Sequence, residues 1–200
     1  MTARTGLLCL LLLLASCAVG YRIAPAGEPL QVGNSNLVVT APNAWNRAGT
    51  LTGPGKNAEL WTLDGPRLNE ITFYGGIADG ETLFRETDRR ERPLPRFRAA
   101  MLPPEIAALF ESSYRVASGT ALFVMGAMAP ADFAGQQGFR FDYDYTLRGE
   151  EIRREGRATG AVIDGRLYMI TFEAPEIHYF ENGLADYEAI VTSARIAPDS

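Results

Sequence analysis

Phe139-Arg140-Phe141-Asp142-Tyr143-Asp144-Tyr145-Thr146-Leu147-Arg148 puts a ring or an aliphatic group at every second position and a polar or charged group between. Side chains of a strand point alternately to its two faces. The stretch therefore predicts a strand with Phe139, Phe141, Tyr143, Tyr145 and Leu147 on a buried face and the charges in water. Gly149-Glu150 then begins a turn into a second strand over 152–163, and Asp164-Gly165 makes a two-residue hairpin into a third over 166–174. Short turns can join only antiparallel strands, so this is an antiparallel meander.

Working outward, 121–128 is an apolar strand. Before it, Ile106, Leu109, Phe110, Tyr114 and Ala117 recur at helical spacing, which predicts a helix over 103–117 opened by Pro103-Pro104 and stopped by Gly119. Strands over 58–63 and 68–74 flank the connection Asp64-Gly65-Pro66-Arg67, and a strand over 31–40 is stopped by Ala41-Pro42-Asn43. The chain closes with a helix over 183–195, capped by Asn182, whose stripe is Tyr187, Ile190, Val191 and Ala194. The expected class is α+β: an antiparallel sheet of about six strands with two main helices packed on it.

The 200 residues are 46% hydrophobic and 22% charged, which suits one globular domain over 29–200 and excludes collagen-like, coiled-coil, disulfide-dense and disordered classes. One His and two Cys leave almost nothing for a zinc site, and no metal or cofactor is expected.

Both cysteines lie near the start. Arg4 precedes the apolar run Leu7-Leu8-Cys9-Leu10-Leu11-Leu12-Leu13-Leu14, which covers about 12 Å as a helix, too short to span a bilayer of roughly 30 Å. It reads as the apolar region of a secretory signal peptide over 1–16. Leu14-Ala15-Ser16-Cys17 resembles the lipobox of bacterial lipoproteins. That resemblance implies cleavage before Cys17, diacylglycerol on its sulfur and acylation of the new N-terminus. The alternative is a plain signal peptide cut near Ala15 or Ala18. By the sorting pattern of that class, Ala18 in place of Asp points to the outer membrane, facing the periplasm, with the inner membrane as the alternative. Residues 17–28 are then the lipidated Cys and a tether. Removing 1–16, whose one charge is Arg4, takes the net charge from −5 to −6. An acidic envelope protein is a poor match for nucleic acid, which is not expected as a partner.

The mature domain is also similar to the Mog1/PsbP-like domain. The likeness rests on Pro42-Asn43-Ala44-Trp45, on Gly165-Arg166-Leu167-Tyr168-Met169-Ile170-Thr171-Phe172, on Tyr179-Phe180-Glu181 and on Ile190-Val191-Thr192-Ser193-Ala194. It implies that fold and an accessory or binding role, and it carries over no ligand-binding residue.

Catalytic signals are sparse. His178 is the one imidazole, and no Gly-x-Ser-x-Gly elbow accompanies it or its nearest acid candidate, Asp186. Asp142 and Asp144, near Glu150, Glu151 and Glu155, share a strand face with Arg140 and Arg148, the composition of an ionic surface. Gly53-Pro54-Gly55-Lys56 lacks the rest of a phosphate loop and reads as a turn. Trp45, Trp61 and the ring row read as core, with an apolar cleft between sheet and helix as the minority alternative. No catalytic residue is expected; the alternatives are an envelope hydrolase using carboxylates or His178, and a carrier of a small apolar ligand held behind the aromatic strand.

The remaining feature is 85–98, where Arg85, Arg89, Arg90, Arg92, Arg96 and Arg98 meet Glu86, Asp88 and Glu91 in an otherwise acidic chain. With Pro93 and Pro95 it predicts an exposed loop able to meet the phosphates of an anionic partner. Together these features predict a non-enzymatic, lipid-anchored envelope protein with a protein or glycolipid partner.

Overall fold

The computed structural model describes residues 20–48 and 54–198. Cys17, the signal peptide and Gly53 lie outside the described residues. The strands are β1 (Arg22–Ala24), β2 (Pro29–Gln31), β3 (Leu37–Thr40), β4 (Trp45–Arg47), β5 (Ala58–Thr62) and β6 (Glu70–Ile77). After α1 (Pro103–Ser118) come β7 (Thr120–Phe133), β8 (Gln136–Leu147), β9 (Arg153–Ile163) and β10 (Arg166–Pro175), then α2 (Glu181–Ser193) and β11 (Arg195–Ile196). The main sheet runs β1-β4-β5-β6-β10-β9-β8-β7, and a small sheet runs β11-β3-β2. All pairings are antiparallel. The α+β class stands, but the main sheet has eight strands rather than about six.

The extra strands come from short segments that long partners hold in place. Arg22–Ala24, read above as tether, pairs with Trp45–Arg47 and buries Ala24, so folded structure begins ahead of Pro29. The expected strand over 31–40 breaks at Gly33 (φ 54°) into β2 and β3, which pair with each other. β7 runs past Met128 to Phe133 and turns through Ala134 and Gly135, both at positive φ, into β8. Pro130 is tolerated because β7 is an edge strand, where one face of the ladder needs no donor.

Asn182 does not cap α2. The helix starts at Glu181, after a kinked segment (Glu176–Phe180) in which His178 sits at φ 74°. Arg195, expected in the helix, instead pairs with Val38. The β5–β6 connection is also longer than expected, 63–69, and Asn69 Oδ1 accepts the amides of Leu63 and Asp64 across it.

The sheet is buried on both faces. On one, α1 covers Phe139, Phe141, Tyr143 and Tyr145 as expected, with Phe110 among their rings. Gly156 leaves the space that the Tyr143 ring fills: a Cβ there would lie 2.2 Å from it. On the other face α2 and the small sheet cover Trp45, Trp61, Phe73, Ile170 and Phe172. Tyr187 of α2 is fully buried there, its hydroxyl 2.8 Å from Thr159 Oγ1 and 3.2 Å from the Ile170 carbonyl. Tyr187→Phe removes both contacts with little change of shape, and is expected to lower stability by about 1–2 kcal/mol in urea titration. An unchanged midpoint would show that this hydroxyl contributes nothing net.

Candidate functional site

The strand registers sort the loops into two ends. Arg22, where the described chain enters β1, lies opposite Arg47, the last residue of β4. Following the pairings across, this is the end where β5 starts, β6 finishes, β9 turns into β10 and β7 turns into β8. The long connection 78–102, from β6 to α1, leaves from the same end. Chain entry and the arginine loop are therefore neighbours on one end of the sheet.

That connection has no regular secondary structure but is not loosely held. Leu83, Leu94 and Phe97 are buried beneath it. Gly80 N–H donates to the Phe97 carbonyl and Phe97 N–H to the Glu81 carbonyl, so its two arms are clipped together. Arg85 N–H reaches the Pro54 carbonyl and ties the loop to the β4–β5 connection. Glu81 accepts from Asn57 Nδ2 and Ala78 N–H, with Lys56 3.6 Å away.

All six arginines are exposed, as the sequence predicts. Their settings differ. Arg96 binds Glu86 at 3.1 Å and the Gly80 carbonyl at 2.7 Å. Arg89 and Arg92 lie 3.8 Å from Glu86 and Asp88. No ion pair holds Arg90 or Arg98 among the described residues. Arg85 and Arg96 join Lys56, Glu81, Phe84 and Glu86 around an open cleft of about 540 Å³, which Arg89, Arg90, Arg92 and Arg98 do not line. Lys56 was missed as a partner of the arginines, because nothing short-range in the sequence brings 54–57 to 80–86.

The opposite end is acidic. Glu155 faces Asp144 across the β8–β9 pair. Its carboxyl is pushed up by partial burial first and then by the charges of Asp144 and Glu176. Asp142 is held by Arg157 at 2.7 Å and Asp144 by Arg153 at 3.1 Å, so both aspartates are engaged in ion pairs on the outer face of β8. His178 is exposed, 3.3 Å from Asn182, while Asp186 accepts from Asn43. Among the described residues the fold thus brings His178 to neither a Ser nor Asp186. No group of three or more metal-ligating side chains converges among the described residues.

Inside the α1-covered core at this acidic end lies a site that sequence reading missed. Tyr143 donates to Glu173 Oε1 at 2.6 Å, and Tyr114 and Tyr145 donate to Oε2 at 2.9 and 3.1 Å. Burial pushes the Glu173 carboxyl up to about 7, against the pull of the Tyr143 hydrogen bond, and nearby Glu70 raises it further. The three phenols are themselves pushed well above their ordinary range, by burial first and by Glu173 second. The available signal was parity: Glu173 alternates with Phe172 and Ala174 and shares its face with Leu167 and Met169.

No helix among the described residues is long and apolar enough to cross a membrane. No family model matches the chain, and no curated protein matches it. The solution structure of cyanobacterial PsbP (CyanoP) from Synechocystis sp. PCC 6803 is similar, with a TM-score of 0.56 and 12% identity over 92% of this chain and 96% of that one. The crystal structure of LpqN, involved in cell envelope biogenesis of Mycobacterium tuberculosis, aligns with a TM-score of 0.31 and 12% identity over 89% of this chain and 92% of that one. At 12% identity the first likeness speaks for architecture alone: the chain has the PsbP-like α+β fold, two helices packed on a large antiparallel sheet.

Proposed function

We propose that the chain is a lipid-anchored accessory protein of the bacterial envelope, attached through Cys17, which uses its basic end to bind an anionic partner at the membrane. The observation that carries this is the shared position of chain entry and the arginine loop. Cys17 precedes Arg22 by five residues, a reach of at most about 18 Å, so an anchor at Cys17 holds this end against the bilayer. Among the described residues no carboxylate forms an ion pair with Arg90 or Arg98, and a guanidinium matches phosphate or carboxylate oxygens in a bidentate fork. The acidic end then points away from the negative membrane surface, the orientation that electrostatics favours.

Two measurements test the reading. Cell fractionation of Cys17→Ala is expected to move the protein from the membrane to the soluble fraction; retention in the membrane would overturn the anchor. A photo-crosslinking residue placed at Arg90 in the anchored protein is expected to capture an envelope protein or glycolipid, and Arg98→Glu to weaken that capture. Recovery of free monomer alone would overturn the binding role.

A further inference from the structure

A second cleft, of about 470 Å³, opens at the same end of the molecule as the arginine loop and is lined by residues of both sheets. Segments far apart in the chain meet there. The turn between β2 and β3 contributes Asn34 and Asn36, the β9–β10 turn Asp164 and Arg166, and the chain leaving β11 an apolar strip, Ile196 to Pro198.

The floor is the end of β6, where two close fits depend on glycine. A Cβ on Gly75 would lie 2.4 Å from Ser35 Oγ, and one on Gly76, at φ 81°, 3.0 Å from the Tyr168 hydroxyl. The β6–β10 register shifts at this point, between Leu167 and Tyr168, an irregularity of the kind that re-aims a side chain beside a site. Buried Tyr168 donates to Asn36 Oδ1 at 2.7 Å, and the Asn36 carbonyl accepts the Ala197 amide at 2.8 Å. Floor and walls are thus bonded to one another before any ligand arrives, as in preformed small-molecule sites.

The chemistry of the lining is selective. Four of the ten carboxamide side chains in the sequence, Gln31, Asn34, Asn36 and Asn57, line this one cleft. Its charges are one base and one acid, Arg166 and Asp164, both exposed. Arg166 gives one N–H to the Gly76 carbonyl at 3.3 Å, and no ion pair joins it or Asp164 to each other or to another described residue. A balanced pair of charges does not favour a polyanion, in contrast to the arginine loop. What it matches is a ligand that donates and accepts at neighbouring atoms without net charge. A carboxylate accepts, a guanidinium donates and a carboxamide does both, and adjacent hydroxyls on a sugar ring answer all three. The apolar strip offers a surface for the C–H face of such a ring.

We infer that this cleft binds a neutral saccharide, with Asp164 and Arg166 holding neighbouring hydroxyls, Asn34 a further one, and the strip from Ile196 to Pro198 against the ring. The inference stands on the lining of the cleft and does not depend on the anchor at Cys17 or on the arginine loop.

The test is saturation-transfer NMR on the full-length protein in a polyoxyethylene detergent, with glucose, galactose, N-acetylglucosamine, maltose and lactose as probes. Transfer to at least one of the five is expected. Arg166→Ala and Asn34→Ala are each expected to weaken that binding at least about tenfold, the loss of one hydrogen bond to the ligand. Asp164→Asn removes the acid while keeping a residue at home at the φ of 50° found there, and is also expected to weaken it. All three side chains are exposed, so urea midpoints close to that of the wild type are expected. No transfer to any probe overturns the inference, and so does transfer that the three variants leave undiminished, because the sugar then sits elsewhere. Phosphocholine, a zwitterion that also answers one acid and one base, is the competitor. Its failure to displace the sugar at equal concentration supports the saccharide site, and full displacement overturns it.

Discussion

Replacing Glu59 by alanine is expected to remove about 3–5 kcal/mol of stability, a large part of the 5–15 kcal/mol typical of a domain. Glu59 lies on β5 and is 9% exposed. Its carboxylate accepts from Arg47 Nε and, at 2.9 Å, Arg47 Nη2, from Trp61 Nε1 at 2.7 Å, and from the Gly33 amide. One side chain thus ties together β4, β5 and the turn between β2 and β3. Alanine leaves the indole N–H of a fully buried tryptophan without an acceptor, and leaves Arg47, whose guanidinium lies 5.5 Å from the Trp61 ring centre, charged and partly enclosed. Removing one partner of such a set costs more than the pair contributes, because the survivors stay desolvated. The comparison variant is Arg92→Ala, an exposed arginine 3.8 Å from Asp88, expected to cost less than about 1 kcal/mol. Urea titrations with unchanged slope would read both. A Glu59→Ala loss no larger than that of Arg92→Ala would mean that Arg47 and Trp61 find water, and that this node does not hold the strands together.

What the sequence discloses and what it hides follow from the range of the interactions involved. The ring row on β8 is legible because a period of two is written within ten residues, and its burial needs only one apolar layer opposite. The full width of the sheet is not. β1 has three residues and β11 two, and their partners lie far along the chain, so their pairing energy comes from registers that no local pattern records. The strand expected over 121–128 runs on through Pro130 to Phe133, and the edge position that makes a proline harmless there is a property of the assembled sheet. Asn182 reads as a cap by residue type, yet α2 is positioned by Phe180, which stacks on Phe172 with ring centres 5.5 Å apart. Packing overrides the local preference.

The candidate site divides the same way. The exposure of six arginines is implied by their density and by the neighbouring prolines. The meeting of Arg85 and Arg96 with Lys56 depends on contacts between distant segments, the Arg85 amide with the Pro54 carbonyl and Glu81 with Asn57 and Lys56, and the closeness of loop and chain entry depends on strand order. Charge separation between the two ends is likewise invisible in a net charge of −5, which averages over both. A globally acidic protein can thus present a basic surface to an anionic partner.

The second large effect is a dependence of stability on pH, expected to vanish in Glu173→Gln. The Glu173 carboxyl titrates near 7 in the fold against an ordinary value of 4.5. Burial is the main cause, with Glu70 on β6, directly opposite in register, adding to it. The hydroxyls of Tyr114 on α1 and of Tyr143 and Tyr145 on β8 oppose the shift, and Arg154, next on the same face of β9, acts on Tyr145. A raised acid binds its proton more tightly folded than unfolded. Its contribution to stability is therefore fully present below about pH 4.5 and is lost as pH rises to about 7, with no further loss above. The span corresponds to about 2–3 kcal/mol after allowing for partial exposure. Glutamine keeps the shape and a hydrogen-bonding group but cannot ionise, so the difference between wild type and Glu173→Gln isolates this site from every other titrating group. Urea midpoints compared at about pH 5 and about pH 8 should show the variant gaining on the wild type by that amount as pH rises. A difference that stays flat would mean that the three phenols stabilise the ionised carboxylate enough to cancel its burial. In that case Tyr143→Phe, which removes the shortest of the three bonds, should restore the slope.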